Sequence, residues 1–243
     1  MSLPGIVPGI PGLRQLKTAT HKIVFREGWD QFYGLGKLID GNNARDPTNS
    51  PPDSIVLQPG LLMGKISAAT GDVVAGTVGV YGASIIDVLQ GAIASAATSL
   101  TLTPAGAAEV VRRFGSSGTF LLTGPPIAGG TVASQVITYS SVNTSTGVIT
   151  ITAAPAAFIA GSLVQPQDGS QNILSLIPDG YGVLVTDNDF STPILVQFPE
   201  FPIAGVLLTA NIINYPTDTS LKAYVRNALS STSGGKFVFD EIY

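Results

Sequence analysis

Glycine and proline punctuate this chain so evenly that no apolar run lasts long. With 28 Gly and 17 Pro in 243 residues, and with Ser and Thr besides, every hydrophobic stretch ends well short of the ~18 uninterrupted apolar residues of a membrane helix. Short strands joined by tight turns fit such a pattern. Ser54–Asp72, SIVLQPGLLMGKISAATGD, is the clearest case. Ile55-Val56-Leu57 is a run of strand formers. In Gln58-Pro59-Gly60, Pro presets the second position of a turn, and Gly supplies the positive φ that a type II turn needs at the third. Leu61-Leu62-Met63 resumes as a strand, and Gly64 inside it predicts a bulge or a close backbone approach. Lys65-Ile66 closes the run, and Thr70-Gly71-Asp72 makes the next turn.

Charged residues are 12% of the chain, against ~25% in ordinary soluble proteins. A broadly charged surface is therefore excluded: the exterior is either Ser/Thr/Gly-like or covered by a partner. The net charge of −4, with Lys and Arg scattered, leaves no electrostatic footprint for nucleic acid. The absence of cysteine rules out disulfides, thiolate metal sites and cysteine nucleophiles. No basic segment followed by an apolar one opens the sequence, so no signal peptide is expected. A soluble, unexported chain without membrane contact is the expectation.

Residues 1–16 repeat a Pro-Gly-apolar unit: Pro4-Gly5-Ile6, Pro8-Gly9-Ile10 and Pro11-Gly12-Leu13. The uneven glycine spacing excludes collagen, and the composition disfavours helix and central strand. An extended arm remains. Disordered arms are usually poor in large apolar residues, so Leu3, Ile6, Val7, Ile10 and Leu13 favour an arm that docks on a neighbour over a loose tag or a segment packed on its own domain.

Further along, Thr18–Phe25 reads as a strand, the Trp29-Phe32-Tyr33 cluster as loop or short helix, and 40–52 as a surface loop. Gly76–Gly82 is another strand. Ser84 with Asp87 three residues later has the form of a capping box, so a helix is predicted over 85–93, with Gly91 against it. From Thr98 the texture changes. Ser99–Thr103 alternates as a strand; Thr103-Pro104 opens a helix and Gly115 stops it. Arg112 and Arg113 fall in its last turn, where cations suit the helix dipole. A strand over 119–123 and a hairpin of 132–139 with 147–152 follow; Leu163–Pro166 and the turn Asp168-Gly169-Ser170 close the section. Strands over 181–186 and 194–198 come next, with Pro199, Phe201 and Pro202 as a break. A helix from Asp218 or Thr219 to about Leu229 and a terminal strand from Lys236 complete the chain.

No motif for chemistry survives inspection. Gly64-Lys65 and Gly36-Lys37 lack the earlier glycine and the following hydroxyl of a phosphate loop, since Pro59 and Gln31 stand where Gly belongs and Ile66 and Leu38 where Ser or Thr does. Asp187-Asn188-Asp189 begins like a calcium loop, but Thr192 and Phe198 occupy its Gly and Glu positions. The single histidine, His21, lies in the first strand, and no nucleophile elbow is present. Neither enzymatic activity nor any cofactor or metal is expected.

Two segments resemble known virion proteins. PG-LLMGKI followed by TG, within 59–71, resembles the GT-LGKIT-TGKY segment of lambda-like head decoration (cement) proteins of tailed bacteriophages. The texture of 119–170, TFLLTGPP…GTVASQVITYS…GVITIT…DGS, resembles modules of phage virion structural proteins. The resemblance implies a capsid decoration protein of the virion exterior, made in the host cytoplasm, whose partners are the major capsid protein and its own copies as a homotrimer. The implied fold is mainly β: a small β-barrel or β-clip-like core (17–83 and 171–243), an extended arm (1–16) and an inserted β-rich module (84–170). Capsid contact carried over by analogy falls on Leu3, Ile6, Val7, Ile10 and Leu13, although the family's arm is not Pro-Gly-Ile in character. Two other readings stand beside it. One is a tail or fibre protein, which should show repeats or heptads; neither is present. The other is a carbohydrate-binding β-domain, whose aromatic platform would have to come from Trp29, Phe32 and Tyr33.

Overall fold

The computed structural model describes residues 23–26, 31–33, 37–40, 56–67, 79–126, 129–154, 156–179, 183–184, 195–198, 201–232 and 236–241. In chain order the strands are β1 (Gln31–Tyr33), β2 (Lys37–Asp40), β3 (Val56–Leu57), β4 (Leu62–Lys65), β5 (Tyr81–Ala83), β6 (Asp87–Val88) and β7 (Ser99–Thr101). Helix α1 (Pro104–Phe114) is followed by β8 (Gly118–Gly124), β9 (Ala133–Val142), β10 (Val148–Ile151), β11 (Leu163–Gln165) and β12 (Ile173–Leu176). Strands β13 (Val183–Leu184), β14 (Leu195–Phe198) and β15 (Phe201–Leu208) precede helix α2 (Thr219–Thr232) and β16 (Lys236–Asp240). The fold is mainly β, as the sequence predicts, and contains a curled half-barrel sheet.

The turn at Gln58–Leu61 forms as its residues require. Gly60 has φ +89°, and the Leu61 amide donates to the Gln58 carbonyl at 3.3 Å, closing a four-residue turn with glycine at its third position. Strand β4 then enters a five-stranded sheet of order β12-β4-β5-β2-β14. Its run is apolar without alternation because both faces are covered: Leu61 and Met63 pack in one cluster with Ile39, Leu57 and Ile177, and Leu62 in another with Leu176, Leu207 and Val225. Gly64 is a close approach; a Cβ there would lie 2.0 Å from the Ser170 carbonyl oxygen. The facing strand β12 shifts register between Ile173 and Ser175.

A three-stranded sheet, β1-β15-β16, holds the chain's last strand. Strand β16 runs parallel to β15, so it pairs within its own chain. Helix α2 begins as predicted. The Asp218 carboxylate accepts from the Ser220 and Leu221 amides at 2.9 and 3.0 Å, which is N-capping. Leu221, Val225 and Leu229, four apart, are wholly buried.

All six strands of the remaining large sheet, β6-β11-β8-β9-β10-β7, lie between Asp87 and Gln165. Its inward side chains (Leu100, Phe120, Leu122, Ile137, Tyr139, Ile149 and Ile151) pack with Val110 and Phe114 of α1. Thr103 caps α1 by accepting from the Gly106 amide at 2.9 Å, Pro104 is its first residue, and Gly115 ends it at φ +86°.

Three expectations are corrected. Residues 85–93 are not a helix: Asp87–Val88 is strand β6, paired with β11. Ile85 and Ile86 point to opposite sides and are buried in different clusters, which extended backbone permits and a helix does not. The Ile86 and Leu89 amides donate to Val164 and Ser162 across the pair. The segment of Phe32 and Tyr33 is strand β1, not loop or helix; it pairs with β15, a partner invisible to local reading. The strand over 194–198 does end at Phe198, but Phe201 and Pro202 are not part of a break: they begin the longest run of that sheet, β15. Pro202 sits near the strand's start and beside the register shift of β1, where a missing donor costs no ladder bond.

Candidate functional site

The contact candidates Leu3, Ile6, Val7, Ile10 and Leu13 lie outside the described residues, as do His21, Trp29, Thr70-Gly71-Asp72 and Asp187-Asn188-Asp189. Two features of the described residues remain: a buried polar junction and an uncharged sheet face.

The junction centres on Arg113. From the last turn of α1 its guanidinium donates to the Ala83 carbonyl at 2.9 Å, to Asp168 Oδ2 at 3.0 Å and to Ser170 Oγ at 2.9 Å. The Ser170 hydroxyl donates in turn to Asp168 Oδ1 at 2.5 Å, and the Ser170 amide to the same oxygen at 2.9 Å. Next to it, the Gln165 amide donates to the carbonyls of Ser84 and Gln171, both at 3.2 Å. A serine hydroxyl on a carboxylate has the outline of an activated nucleophile. Its exposure decides against that: Ser170 is 0% exposed, and the Arg113 and Asp168 side chains 1% each. No substrate reaches the hydroxyl. The cluster fastens α1 to β5 and to the turn after β11, and that is a structural task. The sequence places Arg112 and Arg113 correctly in the last turn of α1, but Arg112 pairs with Glu109 while Arg113 serves the core.

Asp87 belongs to the same helix end. Its Oδ2 accepts from the Thr103 amide and hydroxyl, both at 2.8 Å. The carboxylate therefore orients the residue that caps α1 rather than capping a helix of its own. Burial pushes the Asp87 carboxyl above its ordinary 3.8, outweighing the hydrogen bonds from Thr103. A raised folded pKa means that this group's contribution to stability is fully present below pH 3.8 and is lost as the pH climbs through the folded value. Asp87→Asn cannot ionise, so its urea midpoint is expected to rise relative to the parent chain from acid towards neutral pH. A gap that narrows over that range would contradict the burial argument.

The second feature is the outward side of the six-stranded sheet. Alternation along β7–β10 turns Thr101, Thr119, Val136, Thr138, Val148 and Thr150 to solvent. Val136 is 51% exposed and Val148 38%. Register places Thr119 opposite Thr138, Leu121 opposite Val136, and Val148 opposite Thr101. From Phe114 to Gln167 the sequence contains no Asp, Glu, Lys, Arg or His. The charged residues of α1 (Glu109, Arg112 and Arg113) lie on the side where α1 packs, the inner side of the sheet.

At one end of this sheet a cleft of about 250 Å³ is lined by Gly124, Pro126, Thr131, Gln135 and Phe158 among others. It is smaller than the ~300–1,000 Å³ of ordinary ligand pockets and carries no titratable group. Among the described residues no group of three His, Asp or Glu side chains is placed to hold a metal, and no helix is long and apolar enough to cross a membrane. Nothing matches. No protein-family model, curated protein or solved structure matches this chain.

Proposed function

We propose that this chain is a structural virion protein that binds the outer surface of a phage capsid and stabilises the expanded shell. The observation that carries the proposal is where the decoration-protein resemblance falls. Two of its glycines stand where the backbone calls for glycine: Gly60 turns at positive φ against the Asn211 backbone, and Gly64 leaves room for the Ser170 carbonyl. Positions held by backbone geometry support the reading better than variable surface positions would. The charge-poor composition supports the same reading, because a protein held against a shell has less surface to keep solvated.

The mechanism is mass action. A protein that binds the assembled shell and not its separated subunits shifts the equilibrium towards the shell, and neighbouring attachment points raise the effective concentration of each other. The arm residues Leu3, Ile6, Val7, Ile10 and Leu13 supply the apolar contact, and the capsid exterior is the place of action.

Co-sedimentation with expanded, undecorated heads of the phage that encodes the chain tests this. The full chain is expected to pellet with the heads. A chain lacking residues 1–16 is expected to stay in the supernatant with an unchanged circular-dichroism spectrum. A full chain that never pellets sinks the capsid reading, while equal pelleting of both chains sinks only the role of the arm.

A further inference from the structure

We infer that the junction between α1, β5 and β11 encloses an ordered water molecule, held by Arg113 Nε, Gln165 Oε1 and the Ser84 hydroxyl. The inference concerns the interior of the chain and does not rest on the capsid reading. Buried polar atoms are paired as a rule, and those that find no protein partner are where internal waters bind. Four buried side-chain atoms among the described residues have none: Ser84 Oγ, Arg113 Nε, Gln165 Oε1 and Gln167 Nε2. Three of them belong to residues already tied together. Arg113 donates to the Ala83 carbonyl and the Gln165 amide to that of Ser84, so both side chains end at the same two residues of backbone. Ser84 and Gln165 are 0% exposed and Arg113 is 3% exposed, so bulk solvent does not reach these atoms. Gln167 stands next in the chain to Asp168, the carboxylate partner of Arg113.

The chemistry of the set selects the occupant. Arg113 Nε and Gln167 Nε2 only donate, Gln165 Oε1 only accepts, and the Ser84 hydroxyl does either. A water molecule accepts two hydrogen bonds and donates two, so it is complementary to these groups. The Gln165 amide cannot turn over to relieve its oxygen. Its Nε2 faces the Ser84 and Gln171 carbonyls, and turning would set Oε1 against both. The Tyr224 hydroxyl of α2 lies beside the Gln165 side chain but makes no hydrogen bond to Oε1. An ion does not fit. Asp168 already balances Arg113 at 3.0 Å, so an anion at Nε would be a second negative charge beside that carboxylate, and a metal cation would face the guanidinium. Either would bury a net charge. One enclosed water does not make the junction solvated, since fixed groups hold it and the ion pair stays at low local dielectric.

Water-selective NMR of the isotope-labelled full chain tests the inference. The Arg113 Nε–H resonance, assigned through its own side-chain carbons, is expected to show a cross-peak to water. Its sign should be opposite in the laboratory-frame and rotating-frame spectra, as for a water held longer than the protein takes to tumble; a passing surface water gives the same sign in both. Ser84→Ala removes the one hydroxyl of the set, whose proton would also resonate with water. The cross-peak is expected to survive in that variant, because Arg113 Nε and Gln165 Oε1 still hold the water. An Arg113 Nε–H with no cross-peak to water, or with one of equal sign in the two frames, overturns the inference. So does a cross-peak lost completely in Ser84→Ala, which would make the serine hydroxyl, and not a water molecule, the partner of Nε. Head binding is read in a separate assay, so failure of the capsid reading and failure of this one are distinguishable.

Discussion

Arg113→Ala is expected to destabilise the fold by about 3–5 kcal/mol, the range for removing one partner of a buried ion pair. Three acceptors lose their donor at once: the Ala83 carbonyl, Asp168 and Ser170. Asp168 is then an uncompensated charge at 1% side-chain exposure, and that is the costly part. Arg113→Lys should recover only part of the loss, because an ammonium cannot span a carbonyl, a carboxylate and a hydroxyl with one planar fork. Replacing both charges, Arg113→Met with Asp168→Leu, should be milder than Arg113→Ala alone, since no charge is left buried. Urea unfolding with a check for constant slope measures all four chains. A loss below about 1 kcal/mol for Arg113→Ala would mean that the junction is solvated and is not the fastener between α1 and β5.

What the sequence made legible was chemistry that acts within a few residues. Pro59-Gly60 gave the turn because φ is set residue by residue, Thr103-Pro104 with Gly115 bounded α1, and Asp218 opened α2. The elements misread were those whose cause lies far along the chain. Ile85, Val88, Leu89, Ala92 and Ile93 have helical spacing, but Ile85 and its neighbour Ile86 find separate cores, and β11, more than seventy residues on, supplies the ladder. Tyr33 and Pro202 are strand residues because they face each other's strands. The junction was legible only in halves. Arg113 showed as a helix-end cation and Asp168 as a turn former, and nothing local joins positions 55 apart. The outward face was legible only as a deficit of charge, because which strands share a sheet decides where that deficit is concentrated.

Gly64→Ala is the second large effect, and it tests whether the resembling segment is fixed by the fold. The new Cβ would lie 2.0 Å from the Ser170 carbonyl oxygen and 2.5 Å from that of Asn172. Both neighbours are backbone, so neither a rotamer change nor a flexible tip can make room. A cost at or above the ~1–3 kcal/mol usual for overpacking is expected. Gly91→Ala is the control: it has open space and no positive φ, and losing glycine's freedom in the unfolded chain should leave stability unchanged or raise it by up to ~1 kcal/mol. The relief for Gly64→Ala must come from moving the 168–172 turn, because that turn supplies both obstructing carbonyls. The same turn carries Asp168 and Ser170, the partners of Arg113. Gly64→Ala and Arg113→Ala should therefore be strongly non-additive, the double substitution costing less than the sum of the two, because the second removes contacts that the first has already displaced. Additive costs would instead show that the turn can move away from β4 without disturbing the Arg113 junction.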